Sequence, residues 1–158
     1  MTVQTGTAAP EFKLYDHQKE AFRLSDYRGD KNVLLLFFPG AFTSVCTTEL
    51  NQVNNSLPDF GGDTQVAGIS TDSPFVLAEF SNVHGFTFPL LSDHDGDVSA
   101  AYGAKYDHDF TPMKLDRISK RSAFVIDKEG IVRYAEVLDN AGEMPDFDAI
   151  RAVLNDLS

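Results

Sequence analysis

Residues 33 to 38 read VLLLFF, an unbroken apolar run between a polar Gly-Asp-Lys-Asn turn and Pro39-Gly40. Six residues are too few for a buried helix, and no polar position alternates with the apolar ones. Such a run suits a central strand covered on both faces. A chain built around it needs helices or other layers above and below one sheet, which makes the fold α/β.

The segments on either side supply those layers. Pro10 to Tyr15 alternates apolar and polar, as does Ala21-Phe22-Arg23-Leu24, and the polar stretch 16–20 joins them as an N-terminal β-hairpin. Leu50, Val53 and Leu57 recur at helical spacing, which predicts a helix over 47–57 that begins at or just before Cys46 and stops at Pro58. Residues 65–70 read as a strand. Ser73-Pro74 then opens a second helix, Ser as N-cap and Pro at the first helical position. Residues 86–91 read as a weak extended segment, 98–102 as a short helix and 104–120 as a loop. Ser122 to Asp127 and Ile131 to Leu138 are strands joined at Lys128-Glu129-Gly130. Asp146 caps a final helix with an apolar stripe of Phe147, Ile150, Val153, Leu154 and Leu157. Strands alternating with helices pair in parallel, and the late hairpin adds antiparallel strands. The expectation is a central mixed β-sheet with helices on both faces, in one domain spanning 1–158.

Composition narrows the partners. A net charge of −11 repels nucleic acid and anionic membranes, so neither is expected as a partner. The acidity itself reads as a solubility device or as adaptation to a salty cytoplasm. No apolar run approaches the ~20 residues that span a bilayer. Met1 to Pro10 has neither a basic nor an apolar region of a secretory signal, so a cytoplasmic location is expected. Asp93-His94-Asp95-Gly96-Asp97 has the look of a calcium loop but lacks Gly and Glu at the sixth and twelfth positions, where Val98 and Ala104 stand, and it reads as a turn. His17, His84, His94 and His108 lack zinc spacing. No metal is expected. No phosphate-binding glycine motif is present, and no cofactor is expected.

The chemistry centres on the single cysteine, Cys46. A lone cysteine is by default an inert buried residue. Its neighbours change that reading. Cys46 falls in the first turn of the predicted helix, at the carboxyl end of the buried strand, where open α/β sheets place ligands. Unpaired backbone N–H groups and the positive end of the helix dipole there favour thiolate over thiol, and thiolate is the nucleophile.

Pro39, Thr43 and Cys46 form P-x-x-x-T-x-x-C. In a chain of 158 residues with 7 Pro, chance puts Pro and Thr at those offsets with a probability of roughly 0.3%. This motif resembles the signature of the peroxiredoxins. Ala9-Pro10-Glu11-Phe12 is similar to the family's A-P-x-F, Phe88-Pro89-Leu90-Leu91-Ser92-Asp93 to its F-P-L-L-S-D, and Arg121 to Asp127 to its R-x-x-F-V-I-D strand. The landmarks occur in family order over nearly the whole chain, and the small one-cysteine AhpE-like group is the nearest in character.

The resemblance implies a thioredoxin-like fold and a thiol-dependent peroxidase acting on hydrogen peroxide and organic hydroperoxides. Cys46 becomes the peroxidatic nucleophile. Arg121 stabilises its thiolate and the charge developing on the peroxide. Thr43 holds the peroxide in line, Pro39 shields the thiolate, and Glu49 supports the arginine. Taken alone, Thr43 reads as a loop residue, Pro39 as a strand terminator and Arg121 as part of a solvated basic loop with Lys114, Arg117 and Lys120. Some relatives carry a resolving cysteine five residues after the first; here that position is Asn51. The sulfenic acid must therefore be reduced by an external thiol: thioredoxin, a glutaredoxin-like protein or a low-molecular-weight thiol. The net charge disfavours an anionic thiol such as glutathione at low salt. A homodimer is expected from the resemblance and the 13 Phe. Two other functions stay open at this level: a peroxide sensor or relay passing oxidation to a partner protein, and a holdase-like oligomer without turnover.

Overall fold

In a computed structural model, which describes residues 3–107 and 110–157, seven strands form one mixed sheet in the order β2-β1-β5-β4-β3-β6-β7. The apolar run is its centre. β3 (Asn32–Phe37) is buried at every position, pairing parallel to β4 (Thr64–Ser70) and antiparallel to β6 (Ser122–Ile126). Both ladders draw on its backbone, whose N–H and C=O groups are met within the sheet. Its odd and even side chains enter different cores. Leu34 and Leu36 join one apolar cluster, while Val33, Leu35 and Phe37 join the other. That is the two-sided burial which an unalternated run demands.

The N-terminal hairpin of β1 (Lys13–Asp16) and β2 (Ala21–Arg23) extends the sheet by pairing β1 antiparallel to β5 (Leu90–Ser92), itself parallel to β4. β7 (Val132–Val137) closes the other edge against β6. The two hairpins are thus the two edges, and the parallel pairs lie inside.

Helices cover both faces, unequally. α1 (Ser44–Asn55), α2 (Pro74–His84) and α4 (Phe147–Asp156) send Leu50, Val53, Leu77, Phe80, Ile150 and Leu154 into one cluster. The short α3 (Asp97–Ala101), the N-terminal segment and the hairpin cover the other face with Phe12, Phe22, Val98 and Tyr102. The caps follow the sequence signals. Ser73 Oγ accepts from Val76 N–H with Pro74 at the first position, and Asp146 Oδ1 accepts from Ala149 N–H. α1 begins earlier than the apolar spacing indicates and ends at Asn55; Pro58 lies in a separate 3₁₀ turn, Leu57–Phe60. Of the extended stretch 86–91, only its end is a strand, because β4 and β1 offer ladder partners to Leu90–Ser92 alone.

The stretch read as a loop before Arg121 is irregular but anchored. Tyr106 N–H donates to Ile118 O at 2.9 Å and Lys120 N–H to Ala104 O at 2.6 Å, so its two ends meet beside β6. His108, whose spacing was weighed for zinc, lies outside the described residues.

Candidate active site

The site forms where β3 ends. Pro39 has no N–H to continue a ladder, and the chain turns through Gly40, Ala41 and Phe42 into α1. Thr43 is the N-cap residue, in extended conformation, and its carbonyl accepts from Thr47 N–H at 2.9 Å. Cys46 follows in the first turn, so its thiol sits among N–H groups that have no partner inside the helix. The turn needs an unusual backbone. Phe42 has φ +65°, a left-handed conformation that a bulky residue adopts only under constraint.

Cys46 is 1% exposed and packs in the helix-covered core, but its sulfur is not sealed among apolar groups. Arg121, the residue before β6, reaches across the sheet, and its Nη2 donates to Cys46 Sγ at 3.2 Å and to Ala141 O at 3.0 Å. Its Nη1 donates to Glu49 Oε1 at 2.6 Å. One buried cation thus bridges a thiol and a carboxylate that lie one turn apart on α1, at the spacing that aligns side chains on a single helix face. Such charge-assisted bonds are the strong ones, and a guanidinium supplies several from one rigid plane.

The electrostatics are those of a dry site. Burial pushes Glu49 up to about 7, against the pull of Arg121. Burial acts to lower the Arg121 value, yet Glu49 and Cys46 beside it outweigh that and hold the guanidinium firmly protonated. Glu49 Oε2 and Arg121 Nε are buried without a partner among the described residues.

A cavity of about 340 Å³ opens onto the sulfur. Pro39, Thr43, Cys46 and Arg121 all line it, so four of the five sequence-derived candidates meet at one cavity, and Glu49 is bonded to Arg121. Thr43 Oγ1 donates to Gly40 O at 2.7 Å, which leaves its oxygen lone pairs free to accept. The remaining walls are mostly apolar: Val45, Phe110, Leu115, Ile118 and Ala141. Sequence reasoning missed this loop wall, since irregular segments carry no periodicity. It also missed Asp72, which lines the cavity and accepts Ala41 N–H at 2.8 Å. The only sequence signal there was a turn-type residue beside a helix cap. Among the described residues no group of three or more His, Cys, Asp or Glu side chains is arranged to hold a metal ion.

The arrangement suits a nucleophilic sulfur held beside a fixed cation, with an acceptor hydroxyl lining the same small cavity, as attack on a weak single bond between electronegative atoms requires. Comparison with known proteins agrees. The model of the AhpC/TSA family matches residues 5–135. Alkyl hydroperoxide reductase E of Mycobacterium tuberculosis is 42% identical over 147 residues, 91% of each chain. The crystal structure of peroxidoxin BcpB from the same organism superposes with a TM-score of 0.86 at 32% identity, covering 99% of both chains. Reduced 2-Cys peroxiredoxin of Plasmodium vivax gives a TM-score of 0.83 at 26% identity, over 97% of this chain and 81% of that one.

Proposed function

The chain belongs to the AhpC/TSA family and is a peroxiredoxin, a thiol peroxidase; from that premise we propose that it reduces hydrogen peroxide and organic hydroperoxides by a one-cysteine mechanism centred on Cys46. The observation that carries this reading is the 3.2 Å bond from Arg121 Nη2 to Cys46 Sγ at the back of an open cavity. The thiolate attacks one peroxide oxygen, an S–O bond forms, and the O–O bond breaks. The electron pair leaves with the distal oxygen, which takes a proton and departs as water or alcohol. Cys46 is left as a sulfenic acid. Arg121 stands where charge develops on both oxygens. Thr43, its own proton given to Gly40, accepts the peroxide O–H and fixes the line of attack. Pro39 limits water at the sulfur. Glu49 holds Arg121 in register. Lowering a thiol's basicity also lowers its nucleophilicity, so these contacts to the transition state supply the acceleration.

With one cysteine in the chain and Asn51 five residues after it, an external thiol regenerates the enzyme. It attacks the sulfenic sulfur, expels water and forms a mixed disulfide that a second thiol resolves. Thioredoxin, a glutaredoxin-like protein and a small thiol all fit that chemistry. The apolar walls of the cavity favour admission of an organic hydroperoxide as well as hydrogen peroxide.

The whole chain, 1–158, serves as one peroxidase domain in the cytoplasm. No helix among the described residues is long and apolar enough to cross a membrane. The protein acts as a homodimer, a reading supported by the exposed Phe42, Phe75, Val76 and Val83 around α2; light scattering that gives a monomer mass at every concentration would refute it. The central test is Cys46→Ser, which should abolish peroxide consumption in stopped flow. Mass spectrometry of the wild type should show one oxygen added at residue 46. A rate no better than that of free cysteine would point instead to a relay.

A further inference from the structure

We propose that Asp72 is a positioning residue for peroxide reduction, clamping the Gly40–Ala41 peptide so that Thr43 holds its hydroxyl oxygen in place in the cavity it lines with Cys46. The inference rests on the site described above and adds a residue to it.

The two ends of one peptide plane are held by two different side chains. Ala41 N–H donates to Asp72 Oδ2 at 2.8 Å. On the opposite edge of the same plane, Gly40 O accepts from Thr43 Oγ1 at 2.7 Å. A peptide unit is rigid, so turning its N–H away from Asp72 also turns its carbonyl away from Thr43. The orientation of the Thr43 hydroxyl therefore depends on a carboxylate it never touches.

Asp72 is itself firmly placed. The same Oδ2 accepts from Ser70 Oγ at 2.7 Å, and Asp72 N–H donates back to Ser70 Oγ at 3.2 Å. Its carbonyl accepts from Ser92 Oγ at 2.6 Å. Through this residue the turn after β3 is bolted to the carboxyl ends of β4 and β5. Some such bolt is needed, because Phe42 at φ +65° follows directly. A bulky residue in the left-handed conformation relaxes unless its surroundings over-determine it. The Phe42 ring, 5.0 Å from that of Phe80, pins the far side of the turn. Asp72 pins the near side.

The Sγ–Arg121 bond is made by other elements and does not involve this clamp. Loss of Asp72 should thus harm the reaction with peroxide, which needs Thr43, and spare the reaction of the same sulfur with iodoacetamide, which does not. Both second-order rate constants are measured on the reduced full-length protein. Asp72→Ala should slow reaction with hydrogen peroxide on the order of 10²-fold, the usual effect of a small misplacement, with alkylation within about threefold of wild type. Asp72→Asn retains an oxygen for Ala41 N–H and should recover most of the peroxide rate. Asp72→Glu keeps the charge but moves the oxygens one methylene outward; should alanine impair folding, it should give the same selective loss. Because Asp72 acts through Thr43, the Thr43→Val/Asp72→Ala double variant should be no slower than the worse single variant. An unchanged peroxide rate in Asp72→Ala, a parallel fall in both rates, or additive losses in the double variant would overturn the clamp. Thr43→Val reacting with peroxide as fast as wild type would instead remove Thr43 from the site itself.

Discussion

Glu49 and Asp93 are both carboxylates with no exposed surface, and burial raises both above their ordinary values. Their surroundings are opposite. Asp93, just past β5, has both oxygens met by the first turn of α3. Oδ1 accepts from Val98 N–H at 3.1 Å, and Oδ2 from the Ser99 N–H and hydroxyl at 2.7 Å each. Ser119 Oγ, 2.7 Å from Ser99 Oγ, extends the chain to the residue two before Arg121. Among the described residues Glu49 has Arg121 alone, and its Oε2 has no partner. A buried acid with every oxygen satisfied is scaffold. One left half-satisfied beside a guanidinium and a thiol marks a candidate site. The two are nevertheless linked, since Asp93 steadies the segment that delivers the arginine which Glu49 grips.

Removing the shared cation tests the contrast most severely. Arg121→Met should slow the peroxide step about 10²–10³-fold, the usual cost of losing a donor aimed at developing charge. A rate within a few-fold of wild type would remove Arg121 from the mechanism. Next in size, Asp93→Ala should lower stability by roughly 2–4 kcal/mol in denaturant titration, because it strands buried N–H and hydroxyl donors. The peroxide rate per folded molecule should stay within a few-fold. A large loss of rate with little loss of stability would make Asp93 part of the site and dissolve the contrast.

Glu49→Gln should have the smallest effect on rate, since the amide still offers an oxygen to Arg121, and a distinctive effect on pH dependence. With its value raised from 4.5 to about 7, Glu49 keeps in the folded state a proton that the unfolded chain gives up across that window. Its contribution to stability is therefore complete below pH 4.5 and is lost as pH rises through 7. Between those limits the wild type should lose up to roughly 3 kcal/mol more than Glu49→Gln. Parallel stability curves for the two proteins would show that Glu49 is ionised throughout.

Much of this could be read before any coordinates. The VLLLFF run announced a strand buried on both faces, and the Ser73-Pro74 and Asp146 caps placed α2 and α4, because each signal is local and needs only near neighbours. Pro39, Thr43 and Cys46 were legible as a group through their resemblance to a short family signature, P-x-x-x-T-x-x-C, which spans only the end of β3 and the start of α1. Glu49 was named with them through the same resemblance, as the support of the arginine. Asp72, Ala141 and the Phe110–Ile118 wall were not legible. Each acts through a backbone group or an irregular segment, and neither leaves a periodic trace.

By itself the sequence determined that the chain carries one cysteine, that no second cysteine can pair with it, and that this cysteine opens a helix. These follow from identity and short-range spacing, over which the chain has few conformations to choose from. Only the tertiary structure decided that Arg121, 75 positions along the chain from Cys46, comes within 3.2 Å of its sulfur, and that Asp72 accepts from Ala41 N–H in the turn that precedes α1. Those contacts depend on the order of strands in the sheet. That order is set by burying both faces of β3 at once, a property of the whole chain and of no single segment.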